Sequence, residues 1–250
     1  MTSKLWVLAT TVPIHKPTLS SREAQRLRVS IKNSPVGEIF FVGPKALDWS
    51  YYELNWPEVR IEVFDDLHFQ SVQSYNDWML TRELYERFEQ YEFLLICQTD
   101  AILVKQLEPA GWDFDYLGSI WDPPLQASWH PIRRTLVKAT FGLSPRRLVV
   151  GNGGLSIRRV DAFLAFVERI PVLKKKKNED VVISYFSEKY QLRCATHNIA
   201  VVTFMEGGAQ NWEPGMPIPK VNGFHGLERF NPELEQLILS QLEEDPISPW

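Results

Sequence analysis

Phe93-Leu94-Leu95-Ile96-Cys97 is an apolar run that ends abruptly at Gln98-Thr99-Asp100 and resumes as Ala101-Ile102-Leu103-Val104. Such a run bounded by polar residues reads as a strand buried on both faces, the kind found in the middle of a parallel sheet. Open α/β sheets bind ligands beyond the carboxyl ends of their strands, so Asp100 is placed to face a ligand or a metal ion held by one. An aspartate after a strand also serves as a turn former or a helix cap, and this stretch alone leaves both roles open.

The same design recurs upstream. Leu5-Trp6-Val7-Leu8-Ala9 runs into the hydroxyls of Thr10 and Thr11, and Ser20 stands three residues before Glu23 in the spacing of a capping box. Ala24, Leu27 and Ile31 then share a helical face. Glu38–Gly43 restarts a strand, and Val59-Arg60-Ile61-Glu62-Val63 alternates like a strand with one wetter face. Strands separated by helical stretches favour a parallel sheet with right-handed crossovers. With 250 residues, 44% of them hydrophobic, the chain is expected to fold as one α/β domain over 1–250.

Trp78, Leu84, Tyr85 and Phe88, spaced between Ser74 and Tyr91, predict an amphipathic helix that packs on the sheet. Trp112–Gly118 predicts another strand. Between Trp121 and Val149 lie prolines, a His130-Pro131 step and Arg133, Arg134, Lys138, Arg146 and Arg147, with a short helix near the middle. So long and irregular a segment in a compact domain is expected to be a functional loop.

Gly151-Asn152-Gly153-Gly154 precedes the alternating Leu155-Ser156-Ile157-Arg158. Its glycines fit either a tight turn opening an antiparallel strand or a close backbone approach to a ligand. The stretch lacks the Lys-Ser/Thr of a P-loop and the spacing of a dinucleotide fingerprint. Val160, Phe163, Leu164 and Val167 mark a helix ending before Pro171, and Lys174–Lys177 reads as a solvated loop. In Asn178-Glu179-Asp180, the asparagine fits an N-cap, and the two acids either complement the helix dipole or include a general base. Asn231-Pro232 opens a last helix with Leu234, Leu237, Ile238 and Leu242 inward.

The net charge of −4 gives no general electrostatic reason to bind nucleic acid. Cys97 and Cys194 read as small buried hydrophobes in a reducing cytosol, and their spacing suggests neither a metal knuckle nor a disulfide framework. The N-terminus lacks the basic region and apolar core of a signal peptide, and no stretch approaches the roughly 18 apolar residues of a membrane span. A cytoplasmic protein is expected.

The ordered set Ser74-Tyr75-Asn76, Gln98-Thr99-Asp100, Phe114–Gly118 with Trp121, Gly151–Arg158, Glu179-Asp180 and His225-Gly226 resembles a family of bacterial and fungal proteins, the DUF5672-type glycosyltransferases of the GT-A class. The resemblance covers residues 70 to 230. It implies a GT-A-like (Rossmann-like) mixed, mostly parallel sheet flanked by helices, with 1–105 mainly nucleotide-binding and 106–250 mainly acceptor-binding. The implied donor is a nucleoside diphosphate sugar and the implied acceptor a glycan or lipid-linked sugar, in surface polysaccharide synthesis at the inner face of the membrane.

By the same resemblance Asp100 matches the last acid of the Asp-x-Asp motif, with Gln98 in place of the first. His225 matches the C-terminal histidine that completes the metal shell, so Asp100 and His225 would hold Mn²⁺ or Mg²⁺. Asp180, with Glu179 beside it, matches the acid that takes the acceptor proton, and an ordinary pKa of about 4 would leave it ionised at neutral pH. Thr10, Thr11, Asn76, Gln98 and Thr99 would join Asp100 at the donor, and Trp121, Asn152, Gly153 and Gly154 would line the acceptor side. Two other readings of the residues stand beside this one: a glycoside hydrolase using Asp100 and Asp180, and a non-catalytic nucleotide- or carbohydrate-binding module.

Overall fold

The apolar run forms strand β4 of a computed structural model that describes residues 6–34, 38–109, 111–127, 146–170 and 178–244. Among these residues the chain is mixed α/β. The main sheet contains β1 (Trp6–Pro13), β2 (Glu38–Pro44), β3 (Arg60–Phe64) and β4 (Tyr91–Cys97), followed by the longer β6 (Tyr116–Ala127) and β7 (Arg146–Arg159). Their order is β3-β2-β1-β4-β7-β6. The first four run parallel, and β7 runs antiparallel to both β4 and β6. A second sheet, ordered β5-β9-β8, is built from β5 (Ala101–Leu103), β8 (Phe204–Met205) and β9 (Gly223–His225).

Burial of β4 on both faces follows from its sequence, because successive side chains of a strand point to opposite sides. Leu94 and Ile96 join Trp78, Tyr85, Phe163 and Val182 on one face. Phe93, Leu95 and Cys97 pack with Leu103, Phe114, Leu155 and Phe204 on the other. Each such side chain contributes about 1.5–3 kcal/mol through removal from water. Cys97 and Cys194 are not joined in a disulfide.

Helix α1 (Ser21–Lys32) begins with the expected capping box between Ser20 and Glu23. Its Ala24 and Leu27 pack with Phe41 and with Tyr52 of α2 (Ser50–Asn55). The single helix expected between Ser74 and Tyr91 is instead two, α3 (Val72–Trp78) and α4 (Arg82–Arg87). Trp78, Met79 and Leu80 are all buried, and three consecutive residues cannot share one face of a continuous helix, so the chain turns there. Trp112 and Phe114 lie before β6 rather than in a strand, stacked on each other beside Phe93. β6 itself runs on to Ala127, into the stretch expected to be irregular. His130, Pro131, Arg133, Arg134 and Lys138 lie outside the described residues, as does Lys174–Lys177.

The remaining helices are α5 (Val160–Arg169), α6 (Glu179–Phe186), α7 (His197–Thr203), α8 (Leu227–Phe230) and α9 (Pro232–Glu244). Among the described residues no helix is long and apolar enough to cross a membrane.

A buried charge network joins α1 to the last two helices. Arg26 Nη1 donates to Glu235 Oε1 at 2.6 Å and to Glu228 Oε2 at 2.8 Å, and its Nε donates to the carbonyl of Thr99 at 3.0 Å. Arg22 Nε meets the other oxygen of Glu235 at 2.9 Å. Removing one partner of a buried ion pair leaves an uncompensated charge. Arg26→Ala is therefore expected to lower stability by about 3–5 kcal/mol, measured by urea unfolding. A loss below about 1 kcal/mol would show that Glu235 does not depend on this partner.

Candidate functional site

A cavity of about 730 Å³ opens at the carboxyl edge of the main sheet, beyond the end of β4. That volume lies within the range usual for small-molecule sites. Its walls come from Pro13 at the end of β1 and His15 and Lys16 after it, from Gln98-Thr99-Asp100, from Asn152-Gly153-Gly154 in β7, and from Glu179-Asp180, Glu206 and His225. Tyr75 and Asn76 close one side.

At its floor the polar tip of β4 is fixed by backbone contacts. Gln98 N donates to Gly154 O at 2.9 Å, and Ala101 N donates back to Gln98 O at 2.9 Å, which turns the chain into β5. β5 pairs antiparallel with β9 so that Ala101 lies opposite His225. Gly226 N donates to Asp100 O at 3.0 Å, and Gly226 takes the left-handed backbone (φ 64°) that only glycine enters readily. Asp100 and His225 are thereby adjacent although 125 positions separate them.

His225 Nε2 lies 3.3 Å from Asp100 Oδ1, and Nδ1 lies 3.1 Å from Glu206 Oε1. Asn152 Nδ2 donates to the same Glu206 oxygen at 3.0 Å, and Asn152 Oδ1 accepts from Gly154 N at 2.9 Å. Burial of the His225 ring would lower its pKa, but Asp100 and Glu206 outweigh that and raise it to about 9. For Asp100, burial would raise the pKa, and His225 with Arg229 outweighs it and lowers it.

The glycine run of β7 is strand throughout, not a turn, and Gly153 and Gly154 are absent from the positive-φ residues. What it supplies is clearance. A Cβ on Gly153 would meet Glu179 Oε1 at 1.9 Å, and one on Gly154 would meet His225 Nε2 at 2.1 Å and Gln98 Oε1 at 2.6 Å. Side chains from three other segments therefore lie flat across this strand.

The two acids opening α6 have different surroundings. Glu179 is buried, 3.2 Å from Nη2 of the fully buried Arg158, which also donates to Tyr85 Oη at 3.0 Å and Ser156 Oγ at 3.2 Å. Among the described residues Asp180 has no cation of this kind: its Oδ1 accepts from the Val181 N–H at 2.6 Å. Burial, and after it the neighbouring charge of Glu179, push the Asp180 carboxyl up to about 7 rather than the ordinary value near 4.

Asn76, Gln98, Thr99, Asp100, Asn152, Gly153, Gly154, Glu179, Asp180 and His225 thus meet around one cavity. Three expected residues do not. β1 continues four residues past Ala9, so Thr10 and Thr11 pair with Leu95 and Ile96 inside the sheet, and the buried Thr11 hydroxyl donates to Leu95 O at 3.2 Å. Trp121 packs over Gly151 and is not among the lining residues. Conversely, the cavity includes Glu206 and Arg229, to which sequence reasoning gave no role. Glu206 is marked in sequence by the two glycines after it, whereas Arg229 carries no local signal.

Among the described residues no group of three or more His, Cys, Asp and Glu side chains is arranged to hold a metal ion. The Asp100–His225 pair is a smaller donor set, and it fits a cation completed by a ligand's oxygens. Nε2 is buried without a hydrogen-bond partner, Glu206 orients the ring through Nδ1, and the missing side chain of Gly154 lets the ring lie against β7.

A family model described as "Protein of unknown function (DUF5672)" matches residues 58–206, and the chain belongs to that family. The matched span includes Gln98-Thr99-Asp100, Asn152-Gly153-Gly154, Glu179, Asp180 and Glu206, and stops short of His225 and Arg229. A solved structure described as the WbbM bifunctional glycosyltransferase in its apo form aligns with 89% of this chain and 46% of its own, at 12% identity and a TM-score of 0.49. The chain thus spans less than half the length of that protein. No curated protein matches the sequence.

The Asp180 environment has a measurable consequence. Its folded pKa lies above the unfolded value near 4, so the folded state holds this proton more tightly, and its contribution to stability falls as pH rises from about 4 through about 7. Asp180→Asn is expected to match the wild type near pH 4 and to be more stable near pH 8, read from urea midpoints across that range. Equal midpoints at pH 8 would contradict the assignment.

Proposed function

We propose that this chain is a GT-A-type glycosyltransferase, moving a sugar from a nucleoside diphosphate donor to a hydroxyl of a glycan or lipid-linked acceptor. The observation that carries the reading is one cavity holding both Asp180, with its pKa raised toward neutrality, and the Asp100–His225 pair. A general base works best when its pKa lies near the working pH.

Asp180 accepts the proton of the acceptor hydroxyl. That oxygen forms its bond to the anomeric carbon of the donor while the bond from that carbon to the diphosphate breaks, and the bonding pair leaves with the nucleoside diphosphate. Glu179, paired with Arg158, stands beside Asp180 at the start of α6, and burial together with the Glu179 charge keeps the Asp180 pKa high. Tyr75, Asn76 and Gln98 face the donor and Asn152 lines the acceptor side, while Gly153 and Gly154 serve by giving Glu179, Gln98 and His225 room to lie across β7. Asp100 and His225 would hold Mn²⁺ or Mg²⁺, which supplies positive charge to the departing diphosphate when bound. Such an ion competes with a proton for His225 Nε2.

The geometry favours transfer over two-carboxylate hydrolysis. Asp100 is turned toward His225 and Arg229, at 3.3 and 3.6 Å, rather than standing as a free acid opposite Asp180. Screening nucleotide sugars by thermal shift with Mn²⁺ should find a donor, since a ligand that binds only the folded state raises its melting temperature. With that donor, Asp180→Asn is expected to reduce transfer on the order of 10²–10⁴-fold while nucleoside diphosphate affinity stays nearly constant. Wild-type kcat/KM should climb as pH rises through about 7. Full transfer by Asp180→Asn would remove Asp180 from the mechanism.

A further inference from the structure

Arg229 lies on the first turn after His225-Gly226 and lines the cavity. Its Nη2 is 3.6 Å from Asp100 Oδ2 and 4.0 Å from Glu206 Oε1, both beyond hydrogen-bond length. The guanidinium is packed against Gly226, where an added Cβ would meet Nη2 at 2.6 Å, and it lies 5.7 Å from the centre of the Phe230 ring. It is therefore held in place while 63% of the side chain remains exposed.

Among the described residues, two other long cations near the edge are already paired with carboxylates. Lys16 Nζ is 2.6 Å from Glu23, and Arg26 is buried against Glu228 and Glu235. Gln98, a neutral amide, stands near Asp100 where a second carboxylate would strengthen the hold on a divalent ion. The charge that a diphosphate needs must then come in part from the protein itself.

Resting on the reading of the cavity as a nucleotide-sugar site, we infer that Arg229 grips the donor diphosphate and stabilises the negative charge that grows on it as the sugar leaves. A guanidinium presents paired N–H groups that match two oxygens of a phosphate, and it keeps its charge at any working pH. Its position beside Asp100 lets it share the diphosphate with a cation held by Asp100 and His225. In the absence of such a cation it retains part of the grip alone.

Titration calorimetry on the full chain can separate these contributions, using UDP, GDP and inorganic pyrophosphate, each with Mn²⁺ and again with EDTA. Uridine and guanosine, followed by saturation-transfer NMR, report the nucleoside part of the pocket. Wild-type protein should bind a nucleoside diphosphate more weakly in EDTA but still measurably. Arg229→Gln should weaken that binding on the order of ten- to a hundredfold in both conditions and leave nucleoside binding unchanged, and Arg229→Lys should recover part of the loss. Unchanged diphosphate affinity in Arg229→Gln, or an equal loss for nucleoside and diphosphate, would overturn the inference alone. Wild-type protein that binds no nucleotide and no pyrophosphate would overturn the donor reading together with it.

Discussion

A single guanidinium, that of Arg26, holds together segments that lie 73, 202 and 209 residues from it in sequence. A charge this deeply buried is costly unless paired, so α1 reaches its final environment only when Glu228 and Glu235 are in place. Because the same guanidinium takes the carbonyl of Thr99, the turn bearing Asp100 is tied to the docking of α8 and α9. Hydrophobic burial makes the sheet, but this network fixes how its ligand edge meets the C-terminal segment.

Electrostatics then divide the cavity into two kinds of wall. Around Asp100, carboxylates alternate with His225 and Arg229, which suits an anionic ligand carrying its own cation. At the start of α6, Glu179 is paired with Arg158, while Asp180 has a backbone amide as its partner among the described residues. Of these two adjacent acids, Asp180 is the less compensated, and burial makes it hold its proton to higher pH. Which of the two is less compensated is thus decided by Arg158, a side chain on a neighbouring strand.

Much of this architecture is legible in the chain. Phe93–Cys97 announces a strand buried on both faces, Ser20 and Glu23 announce a helix start, and Gln98-Thr99-Asp100 announces a polar tip at the ligand edge. The failures have physical causes. Thr10 and Thr11 look like a strand's polar end, yet β-branched residues sit well in strands, and a single hydroxyl is satisfied by one neighbouring carbonyl. The glycines of β7 read equally as turn or as clearance, because what they make room for comes from Glu179, Gln98 and His225, which only the tertiary fold brings there. Arg229 carries no local signal, and the two glycines after Glu206 mark that residue without giving it a role, because both side chains derive their position from β8 and β9.

The pairing of β5 with β9 has a consequence for biosynthesis. Asp100 emerges from a ribosome 125 residues before His225, which at about 5–20 residues per second is a delay of roughly 6–25 seconds. During that interval β5 has no partner on the side that β9 later covers, and its apolar Ala101-Ile102-Leu103 presents an unpaired edge to other chains. The edge of the sheet that bears Asp100 therefore closes late, and the nascent chain is exposed to misassociation at β5 until β9 arrives.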